Sequence, residues 1–149
     1  MRVTRRPARG ADTEFARRVH HAAYREVCEA QFGPWDEAAQ DRFFEGDWRD
    51  ARFEIVLADG EPCGYLSVDD TGDSLYVREI VLDPGYQGRC IGSTLLREVL
   101  ERARSRGVPV LLGTHLKNRA GELYRRLGFR ETGRTDTHML FRCDPAQAE

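Results

Sequence analysis

The chain has 149 residues, enough for one domain with a hydrophobic core and too few for two. A net charge of −2, with 40% hydrophobic and 32% charged residues, is typical of a soluble globular protein and gives no general attraction to nucleic acid. No apolar run approaches the ~18 residues of a membrane span, and no apolar stretch follows the arginines of the first ten residues. We therefore expect a cytoplasmic protein with no secretory signal and no membrane partner.

The first half of the chain predicts an edge strand, two helices and three further strands. Asp12 is a good N-cap for a helix whose apolar residues recur every three or four positions to about Ala30, and Gly33-Pro34 ends it. Asp59-Gly60 predicts a hairpin turn. In chain order the elements are strand 3–8, helices 12–30 and 35–44, and strands 53–58, 63–68 and 75–82.

The second half begins with a long amphipathic helix to about residue 103, closed by Gly107. The strand at 108–114 follows this crossover helix and should lie parallel to strand 75–82. A helix at 118–127 and a hairpin of strands 129–133 and 137–142 follow, and the tail after about residue 144 is expected to fray. We predict one α+β domain over residues 1–149. Its mixed, mostly antiparallel sheet has about seven strands and is flanked by about four helices, in the order β-α-α-β-β-β-α-β-α-β-β.

The cysteines and histidines lack the spacing of a metal site. The four cysteines form no CxxC pair, and we interpret them as reduced thiols. His20 and His21 are adjacent, so their side chains leave a helix about 100° apart and should not share an ion. His115 and His138 stand apart in the sequence, and we expect no metal. The cysteines are Cys28, Cys63, Cys90 and Cys143.

An acidic segment at residues 35–50 has two interpretations. Its six carboxylates outnumber its two arginines, which is typical of a solvated helix face. The same charges would also form a rim that attracts a cationic substrate, and the sequence leaves both interpretations open. The carboxylates belong to Asp36, Glu37, Asp41, Glu45, Asp47 and Asp50.

The stretch LDPGYQGRCIGSTLLREVLERA, residues 82–103, joins a strand end, a glycine-bearing turn and a long helix. Such a turn exposes backbone N–H groups at the positive end of the helix dipole, where a phosphate binds well. The glycines at positions 85, 88 and 92 do not fit GxGxxG, and no Walker lysine follows, so a P-loop ATPase is not indicated. The stretch predicts a pyrophosphate site.

Two further residues are candidates for acid–base chemistry. Glu79 lies inside the strand YVREIVL, where a carboxylate is costly to bury unless it is hydrogen-bonded. A desolvated glutamate would serve as a general base near neutral pH, whereas an exposed strand end or an ion pair would make Glu79 structural. Tyr124, in NRAGELYRRLGF, is either a core tyrosine or one whose hydroxyl reaches a site.

QGRCIG at residues 87–92, after a strand ending in Leu82, and NRAGELYRRLGF at 118–129 together resemble the GCN5-related N-acetyltransferase (GNAT) superfamily. That family has the pattern Q/R-x-x-G-x-G/A before a helix, and later an Asn, a Leu-Tyr and a Gly-Phe. Its order of elements is similar to the one predicted above. The chain departs from the pattern at Cys90, where the family has a glycine, and at Gly121, where alanine is usual.

The resemblance implies direct transfer of an acetyl group from acetyl-CoA to a primary amine. It implies that Glu79 takes the substrate proton through water and that Tyr124 protonates the departing thiolate. Loop N–H groups would bind the pyrophosphate, and an N–H of Ile80 or Val81 would polarise the thioester carbonyl. The implied cofactor residues are Ile80, Val81, Leu82, Gln87, Gly88, Arg89, Cys90, Ile91, Gly92, Ser93 and Asn118.

The acceptor site is expected at the two N-terminal helices, the end of strand 108–114 and the terminal hairpin. The acidic segment and nearby aromatics favour a cationic small molecule or a peptide amine. Two other classes stay open: a CoA-binding sensor without catalysis, and a protein-interaction module on the same scaffold, with a homodimer through edge strands as one form. Candidate acceptor contacts are Tyr24, Phe32, Trp35, Asp36, His115 and His138.

Overall fold

The computed structural model describes residues 1–146, and within them the chain forms seven strands and four α-helices. The strands are β1 (Val3–Pro7), β2 (Glu54–Ala58), β3 (Glu61–Asp70), β4 (Leu75–Leu82), β5 (Val110–His115), β6 (Arg130–Arg134) and β7 (His138–Cys143). The helices are α1 (Thr13–Phe32), α2 (Glu37–Asp50), α3 (Ile91–Arg106) and α4 (Ala120–Arg126). The predicted α+β class and order of elements are confirmed. The predicted fraying after about residue 144 falls largely on residues 147–149, which lie outside the described residues.

The strands form one mixed sheet in the order β1-β2-β3-β4-β5-β7-β6. The pairs β1–β2, β2–β3, β5–β7 and β6–β7 are antiparallel. β4 and β5 are parallel, as predicted for strands joined by a crossover helix, and their pairing sets Leu75–Val77 against Val110–Leu112. Among the helices of residues 1–146, none combines the length and hydropathy that a membrane-spanning helix requires.

The chain divides into two compact units, the first of residues 1–67 and 79–91 and the second of residues 68–78 and the chain from residue 92. The first unit has an aromatic core in which Trp48 stacks on Phe53 with ring centroids 4.6 Å apart. Tyr65 meets both rings edge to face. Edge-to-face and offset contacts of this kind add to the stabilisation that apolar burial already gives. Seven buried residues form this core: Ala16, Val19, Phe44, Phe53, Ile55, Tyr65 and Val81.

The core of the second unit contains the apolar stripe of α3 and an aromatic group. The stripe recurs at helical spacing and is almost completely buried, as the sequence predicted. Tyr124 packs edge to face on Phe141, with ring centroids 5.5 Å apart, and lies 5.9 Å from Phe129. The buried residues of α3 in this unit are Leu95, Leu96, Val99, Leu100 and Ala103.

Helix α2 differs from the prediction in length. The predicted end near residue 44 is wrong, since the helix continues to Asp50. The reason is Trp48, one turn after Phe44, which stacks on that ring and extends the buried face. Phe43 is 64% exposed, because its neighbour Phe44 occupies the inward position.

Candidate functional site

The segment after β4 forms a tight turn that leads into α3. Asp83 begins a single 3₁₀ turn at Pro84–Tyr86, and its Oδ1 accepts a hydrogen bond of 3.1 Å from the N–H of Gly85. Gly88 and Cys90 then take left-handed φ values of 75° and 66°, and α3 begins at Ile91. Turns with alternating left-handed residues bring successive N–H groups to one side and favour an anion. The helix start adds further N–H groups, so the geometry suits the predicted pyrophosphate.

Two side chains of this turn make defined contacts. Gln87 is exposed, and its Nε2 donates to the carbonyl of Leu82 over 3.1 Å, which ties the loop to the end of β4. The guanidinium of Arg89 lies 5.2 Å from the ring centroid of Tyr86, a cation–π contact. Cys90 keeps the backbone angle of a glycine although it carries a Cβ, so the turn contains local strain at that residue.

Glu79 is half-buried in β4 and is hydrogen-bonded. The hydroxyl of Tyr24 in α1 donates to Glu79 Oε2 over 3.0 Å, which offsets part of the cost of burying the carboxylate. Arg78, the preceding residue, pairs with Asp69 at 3.6 Å, as expected for successive strand side chains that point to opposite faces. Tyr24, predicted as an acceptor contact, therefore lies beside the predicted base.

A small cavity of about 10 Å³ lies next to Glu79 in the first unit. Its volume corresponds to about one water molecule. Burial, together with the carboxylates of Glu79 and Asp47, raises the pKa of Tyr65 well above its ordinary value, so its hydroxyl stays protonated. The lining consists of the polar residues His20, Asp47, Tyr65 and Glu79 and of the rings of Phe44, Trp48 and Phe53.

Two adjacent histidines connect this cavity to α2, a connection that the sequence analysis missed. The Nδ1 atoms of His20 and His21 are 2.9 Å apart, and His21 Nε2 lies 2.7 Å from Asp41 Oδ1. Adjacent residues of a helix diverge at their Cβ atoms, but the imidazole rings of His20 and His21 are long enough for their nitrogens to meet. The signal in the sequence was the pair HH on a predicted helix followed, 20 residues later, by an aspartate on the next one.

His21 also belongs to a group that has the donor atoms for a metal ion. One ligand atom each of His21, Glu37 and Asp41 lie within 4.8 Å of one another. The indole N–H of Trp35 donates to the other oxygen of Glu37 over 2.6 Å. The prediction of no metal rested on sequence spacing, which did not include this group.

The second unit holds the residues of the later motif. The backbone N–H of Asn118 donates to the carbonyl of His115, and Asn118 Oδ1 accepts from the N–H of Ala120, which orders the start of α4. Lys117, the single lysine of the chain, precedes it and is exposed. Tyr124 is buried, and its carbonyl accepts from the N–H of Phe129, so its ring has a packing role whatever its hydroxyl does.

His115 and His138 lie side by side at the paired ends of β5 and β7. Their register makes them direct partners, and their ring centroids are 4.4 Å apart. Burial, followed by the neighbouring His138, lowers the pKa of His115, so this imidazole is neutral over a wider pH range than a free one. The hydroxyl of Thr137 lies 2.7 Å from His138 Nδ1. The two histidines predicted as acceptor contacts are thus brought together.

The other predicted acceptor residues lie at the α1–α2 junction. Phe32 is 57% exposed. Trp35 contacts the ring of His21 edge to face at 5.2 Å and the guanidinium of Arg25 at 5.8 Å. Asp36 is the N-cap of α2 and accepts from the N–H of Ala39 over 3.1 Å, so its carboxylate already has a structural role.

Several other carboxylates of the acidic segment also have partners within the protein. Glu45 pairs with Arg17 at 3.1 Å, and Asp41 lies 2.7 Å from His21 and 4.0 Å from Arg17. These contacts favour the interpretation of a helix face paired within the first unit, although they leave the rim hypothesis standing as a prediction.

Comparison with known proteins decides the family. The sequence profile described as "Acetyltransferase (GNAT) family" matches residues 20–129, which include Glu79, the loop and the later motif. The chain belongs to this family. The resemblance inferred from the two motifs is therefore confirmed.

Relatives within the GNAT family differ in what they act on. The chain is 36% identical over 110 residues to the N-alpha-acetyltransferase RimI of Mycobacterium tuberculosis, which covers 62% of this chain and 68% of RimI. It is 36% identical over 90 residues to the streptothricin acetyltransferase of Streptomyces lavendulae, which covers 57% of this chain and 48% of that enzyme. Three of the matched curated relatives are aligned over less than half of their length.

The GNAT fold is also evident from solved structures. The PaiA N-acetyltransferase of Thermoplasma acidophilum, crystallised with coenzyme A, superposes with a TM-score of 0.77 over 97% of this chain and 99% of that chain. Its sequence identity is 18%, so this likeness concerns the fold alone.

Proposed function

We propose that the chain is an acetyl-CoA-dependent N-acetyltransferase that moves an acetyl group to a primary amine by direct attack. The observation that carries the proposal is the family match over residues 20–129, which contains a loop of anion-binding form between β4 and α3. Two matched relatives are named N-alpha-acetyltransferase and streptothricin acetyltransferase. Acetyl transfer is common to both names, and the first specifies transfer to an amine nitrogen.

The cofactor is assigned to the end of β4 and the turn that follows. Main-chain N–H groups of Gln87 to Gly92, with Ser93 in the first turn of α3, bind the pyrophosphate. Leu82 runs beside the pantetheine arm, and the N–H of Ile80 or Val81 polarises the thioester carbonyl. Asn118 contributes from the start of α4. The Gln87–Leu82 hydrogen bond supports this assignment because it holds the loop at the end of the strand.

Glu79 is assigned the role of base and Tyr124 that of acid. The acceptor binds as an ammonium, loses a proton through water to Glu79, and attacks the thioester carbonyl as a free amine. Tyr124 then protonates the thiolate of coenzyme A as it leaves. The supporting observation for Glu79 is its hydrogen bond with Tyr24 beside a water-sized cavity, which places a partly desolvated carboxylate next to room for the relaying water.

The acceptor contacts are assigned to the α1–α2 junction, through Tyr24, Phe32, Trp35 and Asp36, and to the pair His115 and His138. A cationic or peptide amine fits the acidic segment best.

Direct attack requires no metal. Free thiols at Cys28, Cys63 and Cys143 suit a reducing compartment such as the cytoplasm. Residues 1–149 are treated as one catalytic domain.

The test is a thiol-release assay with acetyl-CoA against polyamines, aminoglycosides, amino acids and peptide N-termini, together with thermal denaturation. Acetyl-CoA should raise the melting temperature, as any ligand of the folded state must, and at least one amine should release coenzyme A. No shift at millimolar acetyl-CoA overturns the proposal. A shift without thiol release on any amine supports the sensor alternative instead.

The Tyr124→Phe variant tests the assigned acid in the same assay. Its kcat should fall roughly 10²–10⁴-fold, the usual scale for loss of an acid–base group, while the melting temperature in acetyl-CoA still rises. The matched control is Tyr76→Phe, which removes the same hydroxyl from an exposed position of β4 and should leave kcat unchanged. Equal turnover of Tyr124→Phe and the control would remove Tyr124 from the reaction.

A further inference from the structure

Three side chains with ligand atoms for a cation meet between α1 and α2. His21 belongs to α1, and Glu37 and Asp41 are four residues apart on α2, so both carboxylates lie on one face of that helix. His21 Nε2 lies 2.7 Å from Asp41 Oδ1 and 3.8 Å from Glu37 Oε1. The three ligand atoms all lie within 4.8 Å of one another. All three residues belong to the first compact unit.

The chemistry of the donor atoms selects the ion. One imidazole nitrogen accompanies two carboxylate oxygens, whereas calcium and magnesium take oxygen ligands, so the group suits zinc or a similar transition metal. Ligand atoms about 2.0–2.1 Å from a tetrahedral zinc lie about 3.3 Å from one another. The two measured separations from His21 Nε2, 2.7 and 3.8 Å, fall on either side of that value. Small side-chain rotations therefore suffice for the ion to replace the hydrogen bond between His21 and Asp41.

Two neighbouring side chains hold the ligands in orientation. With an ion on Nε2, the ring proton of His21 lies on Nδ1, which is 2.9 Å from Nδ1 of His20 and donates to it. The indole N–H of Trp35 donates to Glu37 Oε2 over 2.6 Å, and the other oxygen, Oε1, faces His21. Hydrogen bonds of this kind from residues outside the ligand set orient metal ligands in proteins.

The surrounding charges favour a cation, although two features oppose it. Arg17 Nε lies 4.0 Å from Asp41 Oδ1, and both carboxylates lie near the start of α2, at the positive end of its dipole. Arg17 is itself paired with Glu14 at 3.2 Å and with Glu45 at 3.1 Å. Together with Glu37, these groups comprise four carboxylates and a single guanidinium, which leaves the negative charge that a divalent ion requires.

We propose that His21, Glu37 and Asp41 form a zinc site that joins α1 to α2. The ion accepts a lone pair from His21 Nε2 and from one oxygen of each carboxylate, and water takes the fourth position. The side chains of His21, Asp41 and Glu37 are 13%, 35% and 64% exposed, so the ion has a path from solvent. This site goes beyond acetyl transfer and does not rest on it, because direct attack uses no metal. The ion would stabilise the junction that carries Trp35, an assigned acceptor contact.

Zinc titration of EDTA-stripped, dialysed protein is the first test, and it requires neither acetyl-CoA nor an amine. Calorimetry on the wild type should give one zinc per chain, and zinc should raise the melting temperature. His21→Gln, Glu37→Gln and Asp41→Asn should each weaken binding at least about 10-fold, since even the loss of an outer partner costs that much. The matched control, Glu29→Gln, removes a carboxylate from an exposed pair with Arg25 on α1 and should bind zinc as the wild type does.

Cobalt absorption and hydrogen exchange locate the ion. Cobalt(II) in place of zinc should show the visible bands of nitrogen and oxygen ligands without the near-ultraviolet bands of a thiolate. Zinc should slow amide exchange in α1 around His21 and in the first turns of α2. It should leave β5 and β7 unchanged, where His115 and His138 are paired.

The outcomes separate the zinc site from the proposed function. No zinc binding by the wild type, or equal affinity in the wild type and Glu37→Gln, overturns the site. Glu37 is the most exposed ligand, so its replacement tests the site with the least effect on folding. Thiolate bands with cobalt, or slowed exchange confined to β5 and β7, would place the ion elsewhere and also overturn the site. Zinc binding as described, without thiol release on any amine, supports the site and contradicts only the proposed function.

Discussion

Cys90 shows how a single residue can take a backbone angle that its side chain opposes. It has a φ of 66° in the turn before α3, where a glycine would meet no steric penalty. For a residue with a Cβ, the left-handed region costs roughly 1 kcal/mol. That cost falls on the loop assigned to the pyrophosphate, where Cys90 is exposed.

The Cys90→Gly variant should bind acetyl-CoA more tightly, by about 2- to 10-fold. The turn would adopt its angle without strain, and the pyrophosphate would gain room. Stability should change by less than about 1 kcal/mol, because the relieved strain is offset by the greater freedom of glycine in the unfolded chain. Titration calorimetry with acetyl-CoA measures the affinity. Cys90→Ser keeps the Cβ and should bind as the wild type does; equal affinities for all three proteins would contradict this account.

The histidine pair illustrates what residue types and spacing leave out. Adjacent positions on a helix do diverge, and the sequence-based inference that His20 and His21 should not share an ion followed from their Cβ directions. The length of an imidazole and its two nitrogens permitted a contact that the Cβ directions alone did not indicate. The partner, Asp41, lies on another helix, and the packing of two helices is not encoded in local periodicity.

At the scale of the element, β3 and the end of β4 approach unusually closely. A Cβ added at Gly64 would overlap the carbonyl oxygen of Val81 and come within 3.0 Å of Leu82 Cα. Glycine at this position of β3 therefore lets the backbone of β4 lie where Leu82 meets Gln87. The approach involves backbone atoms on the β4 side, which cannot rotate away as a flexible side chain could.

Gly64→Ala should destabilise the protein by about 1–3 kcal/mol, the usual cost of adding a methyl group to a filled space. It should also weaken acetyl-CoA binding, since the displaced part of β4 is the part assigned to the cofactor. Chemical denaturation and calorimetry give the two quantities. Gly133→Ala on β6 is the control, because a Cβ there meets nothing within 4 Å and should cost little. A similar loss of stability in both variants would show that the close approach is not the cause.

Elements with strong periodicity were predicted well from the sequence, and their ends less so. The strand predicted at 75–82 matches β4 residue for residue, because Gly72 and the turn before it and Asp83-Pro84 after it are clear punctuation. α2 was predicted too short, since its last turns are held by stacking of Trp48 on Phe44 and Phe53 rather than by a local signal. The candidate site, likewise, could be predicted only in part from the sequence. The loop was evident in the sequence, whereas the Tyr24–Glu79 bond and the cavity depend on packing.

At the scale of the whole molecule, acid stability depends in part on the contact that connects β1 to α1. Arg6 donates two hydrogen bonds to Asp12, of 2.8 and 2.9 Å, and the N–H of Arg9 donates a third. The hydrogen bonds from Arg6, more than any other cause, lower the pKa of Asp12 to about 2. The unfolded chain has a carboxyl pKa near 3.9, so the folded state favours the ionised form.

Asp12→Asn should therefore lower the stability at pH 7 by about 1–2 kcal/mol, after allowance for screening by solvent. The wild-type advantage is complete above the pKa of the unfolded carboxyl and declines as the pH falls from about 4 toward 2, where both states take up the proton. Urea denaturation at pH 7 and pH 3 measures the two differences. Asp136→Asn, the same change in the exposed turn between β6 and β7, is the control. A difference that does not shrink at pH 3 would contradict this assignment.

The arginine-rich composition has a consequence for an enzyme that handles acetyl groups. Within these 149 residues, Lys117 is the single side-chain amine, because the other 22 of the 23 basic residues are arginines, whose guanidinium is not acetylated by a thioester under ordinary conditions. Lys117 is also exposed, in the turn before α4. Within these residues a side-chain acetyl-amide can thus form only at Lys117, whereas the exposed thiol of Cys90 can exchange with the thioester. Acetyl-amide formed in large excess over the protein must therefore be on another molecule, so side-chain self-modification cannot imitate catalytic turnover.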